Sequence, residues 1–151
     1  MRITLNNMKS FRLVLVLIAG STGIARLHAA EPAAALLPLY EKVSAALVAD
    51  NLAATRDAAR TLAAAATNAH RTDLAAAAGA VAGATDLAAS REAFKKLSQD
   101  TVVLARHERG WFIVNCPMAN ADWVQRTRTI ANPYFGQSMP SCGIVKEETK
   151  G

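Results

Sequence analysis

Along residues 31–109, apolar side chains recur at helical intervals, and alanine, the strongest helix former, fills many of the positions between them. Leu36, Tyr40, Val43 and Leu47 stand at i, i+4, i+7 and i+11, which puts them on one face of a first helix. Pro38 falls near the start of that segment, where a proline is tolerated. Asp50 or Asn51 is the predicted N-cap of a second helix with Leu52, Ala59, Leu62 and Ala66 on its inner face. A third, short helix is expected from Asp73, with Leu74, Ala78 and Val81 inward and a break near Gly83. A fourth is expected to open at Ser90-Arg91-Glu92-Ala93, to carry Phe94, Leu97, Thr101 and Leu104, and to stop at Gly110.

Beyond Gly110 the pattern changes. Trp111-Phe112-Ile113-Val114 is β-prone. Residues 121–130, with Asn120 as cap and Trp123, Val124 and Ile130 as the apolar positions, predict a short helix. Asn132-Pro133-Tyr134-Phe135-Gly136 reads as a turn, and the charged tail after Val145 as frayed. The fold class that follows is mainly α: a bundle of about four helices with an irregular, turn-rich C-terminal segment that has room for a short strand. Alanine-lined helices bury little apolar area each, so the core is expected to need the tryptophans and aromatics of the C-terminal segment.

The first thirty residues read as an address. Arg2, Lys9 and Arg12 precede the apolar run Leu13–Ala19 and then small residues, the pattern of a secretory signal. The run is short for a membrane span. A cut before Glu31 is expected; an uncleaved leader would instead tether the protein to the membrane. The organisation is then a signal peptide over 1–30, one helical domain over 31–145 and a disordered tail over 146–151. This leader looks bacterial, which makes the destination periplasmic or secreted.

Removing the leader changes the charge picture. Of the 17 basic residues, Arg2, Lys9, Arg12 and Arg26 precede Glu31, whereas all 12 acidic residues lie from Glu31 onward. The remainder is nearly neutral, and no basic run is left to track a phosphate backbone, so nucleic acid is not an expected partner on electrostatic grounds. An enzyme is not expected either. There is no Cys-x-x-Cys pair, no glycine-rich phosphate loop and no histidine-based zinc motif.

The candidate chemistry is sulfur. Both cysteines and two of the four methionines fall in Cys116-Pro117-Met118 and Met139-Pro140-Ser141-Cys142. If the chain is extended through Met118, Cys116 and Met118 share a face. Pro140 at the second place of a β-turn brings Met139 and Cys142 together. Two thiolates with one or two thioethers suit Cu(I), and Ag(I) on the same softness argument, better than zinc. His107 is a further candidate ligand, against the simpler reading that it faces the C-terminus of the fourth helix. The competing account of the cysteines is a structural Cys116–Cys142 disulfide in an oxidising compartment, and on the residues alone it is the stronger. In that account the protein is a disulfide-stabilised interaction module of the cell envelope; a redox role for the thiols ranks below both.

The runs Trp111–Ala119, Ala121-Asp122-Trp123 and Asn132–Gly136, with Met139 and Cys142-Gly143, resemble the DUF3347 type of bacterial domain. Phe94, Leu97, Ser98, Tyr40 and the alanine-rich stretch around 46–62 fit its helical part. The resemblance implies a helical domain that occurs in small exported proteins and in periplasmic adaptor subunits of heavy-metal efflux systems. It also implies copper or related metal handling in homeostasis or resistance, with Cys116, Met118, Met139 and Cys142 as ligands. A metal efflux or copper-handling envelope protein is then the expected partner.

Overall fold

The computed structural model describes residues 32–151; the leader read over residues 1–30 lies outside the described residues. The order is α1 (Pro32–Val48), α2 (Leu52–Asn68), α3 (Thr72–Gly83), α4 (Leu87–Ala105), then strands β1 (Arg109–Cys116), β2 (Ala121–Gln125) and β3 (Ile144–Lys150). The protein is mainly helical, with a small antiparallel sheet in its C-terminal part. None of the described helices is long and apolar enough to cross a membrane.

The predicted helix faces are the buried ones. Leu36, Tyr40, Val43 and Leu47 of α1, Ala59, Leu62 and Ala66 of α2, Leu74, Ala78 and Val81 of α3, and Phe94, Leu97, Thr101 and Leu104 of α4 all lie inside. Leu52 is only half-buried, and Thr55 takes the inner position ahead of Ala59. Pro38 is exposed within α1, so the carbonyl it deprives of a donor faces water.

Two helix corners close without glycine. After α1, Asp50 takes a left-handed φ of 55°, and the amides of Asp50 and Asn51 return to the carbonyls of Leu47 and Ala46. His70 (φ 56°) and Arg71 repeat the arrangement after α2, reaching Thr67 and Ala66. Both are the backbone pattern that satisfies the last carbonyls of a helix. Asn51 caps α2 as expected, its side chain accepting from the Ala54 amide at 3.0 Å.

The start of α4 differs from the expectation. Asp86, not Ser90, is the N-cap, accepting from the Ala89 amide at 2.8 Å, and the helix begins at Leu87. Its stop is also earlier than Gly110: α4 ends at Ala105, and Gly110, with φ 76°, lies inside β1. Arg56, which reads in the sequence as a solvated charge, donates to the carbonyls of Ala84 (2.8 Å) and Thr85 (3.0 Å) and ties α2 to the α3–α4 link.

The C-terminal segment holds the largest corrections. Residues 121–125 form β2, paired to β1 with Cys116 opposite Ala121 and Phe112 opposite Gln125, where a helix was predicted. Residues 144–150 form β3 on the other side of β1, with Asn115 opposite Ile144 and Val114 opposite Val145, where a frayed tail was predicted. Thr149 is its buried anchor; its hydroxyl accepts from the Trp111 amide at 3.1 Å. β1 is therefore the central strand, in the order β2-β1-β3.

The sheet segment completes the helical core, as the poverty of large side chains in the helices requires. Tyr40 of α1 stacks on Phe94 of α4 at 5.2 Å between centroids, Phe94 meets Tyr134 at 5.8 Å, and Trp123 stands edge-on to Tyr134 at 6.0 Å. The Tyr40 hydroxyl hydrogen-bonds Ser98 at 2.7 Å and accepts from the Val124 amide at 3.4 Å, so one phenol joins α1, α4 and β2.

Candidate sulfur site

The strand register builds the site. Cys116 is the last residue of β1, and β3 opens at Ile144 opposite Asn115. Following the antiparallel ladder past Ile144 therefore brings residues 142–143 alongside the end of β1. The Cys116 and Cys142 thiols lie close enough there for each to influence the other's charge state. Both are free thiols; Cys116 is fully buried and Cys142 partly so.

Two turns frame the pair. Pro117–Asn120 links β1 to β2, with Asn120 at φ 48° and its amide returning to the Pro117 carbonyl at 3.2 Å. The Ala119 amide points back at the Cys116 Sγ, 3.4 Å away. Because the strand ends at Cys116, the alternation that would have put Met118 on the same face as Cys116 does not apply. Met118 is 65% exposed on the outside of the turn. On the other side, the Cys142 amide donates to the Met139 carbonyl at 3.3 Å. This is the predicted β-turn with Pro140 second. Met139 is half-buried in the same turn as Cys142.

Burial pushes the Cys142 thiol above its ordinary pKa, and the neighbouring Cys116 pushes it the same way. A thiolate beside a thiolate is penalised by like-charge repulsion, so a cation between the sulfurs is what would relieve it. The Tyr134 phenol is likewise raised, by burial first, opposed by a hydrogen bond with Ser98, with Asp122 and Cys116 adding to the rise.

His107 stands apart from the sulfurs. It is exposed just beyond α4, at the start of β1 rather than its end. The length of that strand separates it from Cys116 by about 23 Å at the usual rise per residue. Among the described residues, no group of three or more His, Cys, Asp or Glu side chains gathers to hold a metal. The donors here are two thiols, with a thioether in the turn that carries one of them.

Asn132, which the sequence shows only as part of a turn, holds the sulfur loop in place. Fully buried, it donates through Nδ2 to the Cys142 carbonyl at 2.6 Å and through its amide to the Pro140 carbonyl at 2.8 Å. Its Oδ1 accepts from the Tyr134 amide at 2.8 Å. Tyr134 in turn donates to the Asp122 carbonyl at 2.5 Å, on β2. Gly143 completes the fit: a Cβ there would lie 2.7 Å from the Trp123 ring.

A second cluster fastens this segment to the helices. Arg91 of α4 pairs with Asp50 and donates to the Pro133 carbonyl at 3.1 Å. Gly136, with φ 52°, packs so closely that a Cβ would overlap the Asp50 carboxylate and Arg91. Gln137 donates to the Val48 carbonyl at 2.7 Å.

These features define a small helical domain closed by a three-stranded sheet, with two thiols meeting at one end of the sheet. Residues 36–109 match the family model described as Protein of unknown function (DUF3347). The match spans the helices from the second turn of α1 and ends at the first residue of β1, so the sulfur-bearing segment lies beyond it. No curated protein and no solved structure matches the chain.

Proposed function

We propose that Cys116 and Cys142 bind a soft monovalent metal ion, Cu(I) or Ag(I), and that the protein is a periplasmic binding protein for such ions in metal homeostasis or resistance. The observation that carries the reading is the strand register, which pairs Asn115 with Ile144 and so sets Cys142 beside Cys116 at one end of the sheet. Soft thiolate and thioether donors select Cu(I) over harder divalent ions. Met139, in the turn that delivers Cys142, is the third donor in this reading. The ion is cargo: the protein holds it and passes it on to an envelope partner that exports or uses copper, and no bond of a substrate is made or broken. The periplasmic setting rests on the leader pattern of residues 1–30.

The test is a titration of the fully reduced protein with Cu(I) against a competing chelator. One equivalent is expected to bind, and Cys116→Ser or Cys142→Ser is expected to weaken binding by about 100-fold or more, since each removes a ligand outright. Unchanged affinity in both variants would refute the ligand assignment.

The complete burial of Cys116, with Cys142 near it, also favours a second reading, a Cys116–Cys142 disulfide stapling an interaction module. Intact mass of the exported protein, with and without reductant and alkylation, separates the two.

A further inference from the structure

The turn between β1 and β2 does more than reverse the chain. Cys116 closes β1 and pairs with Ala121, the first residue of β2, so Pro117 to Asn120 make the whole link. The sequence suits both ends of it. Pro117 brings a φ already fixed at about −65° and no N–H to leave unpaired. Asn120 takes φ 48°, a left-handed setting that asparagine tolerates better than most residues, and its amide closes the turn on the Pro117 carbonyl at 3.2 Å. Asn120 is exposed, so the turn uses its backbone setting and not its packing. With the chain held this way, the next amide back, that of Ala119, donates to the Cys116 sulfur at 3.4 Å.

A cysteine ligates a metal as its thiolate, and Cys116 is fully buried. A buried charge needs both a counter-charge and hydrogen bonds. The ion supplies the first, and the Ala119 amide, already on the sulfur before any ion arrives, supplies the second. We propose that the Ala119 amide supports Cys116 as a metal ligand and that Asn120 is the positioning residue that aims it. This rests on the soft-metal reading above. A hydrogen bond to an ionised acceptor is about twice as strong as one between neutral groups, so the bond strengthens as the thiol gives up its proton to the solvent and takes the ion. The N–H draws charge off the sulfur without occupying a place on the metal.

The experiment replaces the Ala119 amide by an ester in the full chain, using the α-hydroxy analogue of alanine, which removes the N–H and leaves every side chain in place. Cu(I) affinity of the reduced protein is measured by competition with bathocuproine disulfonate, and the ultraviolet thiolate-to-copper absorption is recorded on the same samples. Affinity is expected to fall by about tenfold or more, as when a group supporting a ligand is lost. The absorption is expected to move to longer wavelength, because a sulfur without its N–H holds its electrons less tightly. A turn that is merely loosened lowers affinity without moving the band; that result overturns the proposal, as does an ester protein that behaves as the wild type. Asn120→Gly keeps the left-handed setting open and is expected to bind within about twofold of the wild type. Asn120→Val strains it and is expected to reproduce the loss and the shift; wild-type behaviour there overturns the role of Asn120. If the unmodified protein takes up no Cu(I), the soft-metal reading fails and this inference with it. If it does and the ester changes nothing, that reading stands and this inference alone falls.

Discussion

Cys142, two residues before β3 opens, lies beside Cys116, the buried last residue of β1, because Asn115 pairs with Ile144. Their environments differ in one respect that chemistry can read: Cys142 is partly accessible and Cys116 is not. Alkylation of the reduced, folded protein is therefore expected to modify Cys142 first, with Cys116 following only on unfolding. Peptide mass mapping after a short iodoacetamide pulse checks the order; equal labelling of both would contradict the burial of Cys116.

The raised Cys142 pKa gives that reaction a pH signature. Burial and the neighbouring Cys116 disfavour the thiolate, so the folded-state pKa lies above the unfolded one. The neutral thiol is what the fold favours, and its contribution to stability is complete below the unfolded pKa and lost as pH rises through the folded pKa. The alkylation rate of Cys142 is expected to rise at a more alkaline midpoint than that of a free cysteine. Because metal binding must expel the thiol proton, Cu(I) affinity is expected to increase with pH over the same range. A pH-independent affinity would argue against thiolate ligation.

Asn132→Ala tests whether the loop carrying Cys142 is held or merely parked. The substitution frees the buried carbonyl of Cys142 and the amide of Tyr134 at once. Leaving such groups without partners is expected to destabilise the fold by about 2–4 kcal/mol. Urea denaturation measures the loss. Metal affinity of the folded variant is expected to fall by about 10–100-fold, as it does when a residue supporting a ligand is removed.

Gly136→Ala probes the joint between the C-terminal loop and the helices. The residue has a left-handed φ, and its missing side chain leaves room for the Asp50–Arg91 pair. Alanine is expected to cost about 2–3 kcal/mol, through backbone strain and displacement of that pair. Thermal unfolding followed by tryptophan fluorescence checks it, since Trp111 and Trp123 both lie in the segment this joint secures. An unchanged melting curve would show that the joint carries no stability.

Asp86 gives an acid-side prediction. Its carboxylate is held below the ordinary value of 3.8, first by the Ala89 amide it caps and then by Thr85. For a depressed carboxyl, the added stability is present above the unfolded pKa and lost as pH falls through the folded one. Stability is thus expected to decline below about pH 4, and Asp86→Asn, which can still cap, is expected to flatten this part of the decline. Melting temperature against pH for the two proteins measures the difference.

How much of this the chain announces depends on the kind of signal. The helix faces were legible because Leu36, Tyr40, Val43 and Leu47 and their counterparts repeat at the helical period and are all buried. The corners at Asp50 and His70 were not, because a left-handed residue there is usually glycine and neither is. β2 does not read as a strand in the sequence because Trp123, Val124 and Gln125 are buried in succession, so it lacks the alternation that would identify it. In the sequence β3 reads as a tail because Lys146, Glu147, Glu148 and Lys150 are charged. Pairing to β1 orders it, aided by a Lys146–Asp122 ion pair at 2.9 Å and contacts of Glu147 with Arg106 and Glu148 with Arg128.

For the site, the turn from Met139 to Cys142 followed from local chemistry, whereas the meeting of Cys142 with Cys116 is set by strand register, which no local pattern fixes. The outward placement of Met118 follows from the strand ending one residue before Pro117. Asn132 was missed because nothing in an Asn-Pro-Tyr turn tells which of its atoms will be buried.

The most direct test of the sulfur site is X-ray absorption at the copper edge on the reduced protein loaded with one equivalent of Cu(I). The account predicts an ion coordinated by sulfur alone, with that signature lost in the Cys116→Ser and Cys142→Ser variants. Coordination by nitrogen or oxygen, or a sulfur signature that survives both substitutions, would contradict it.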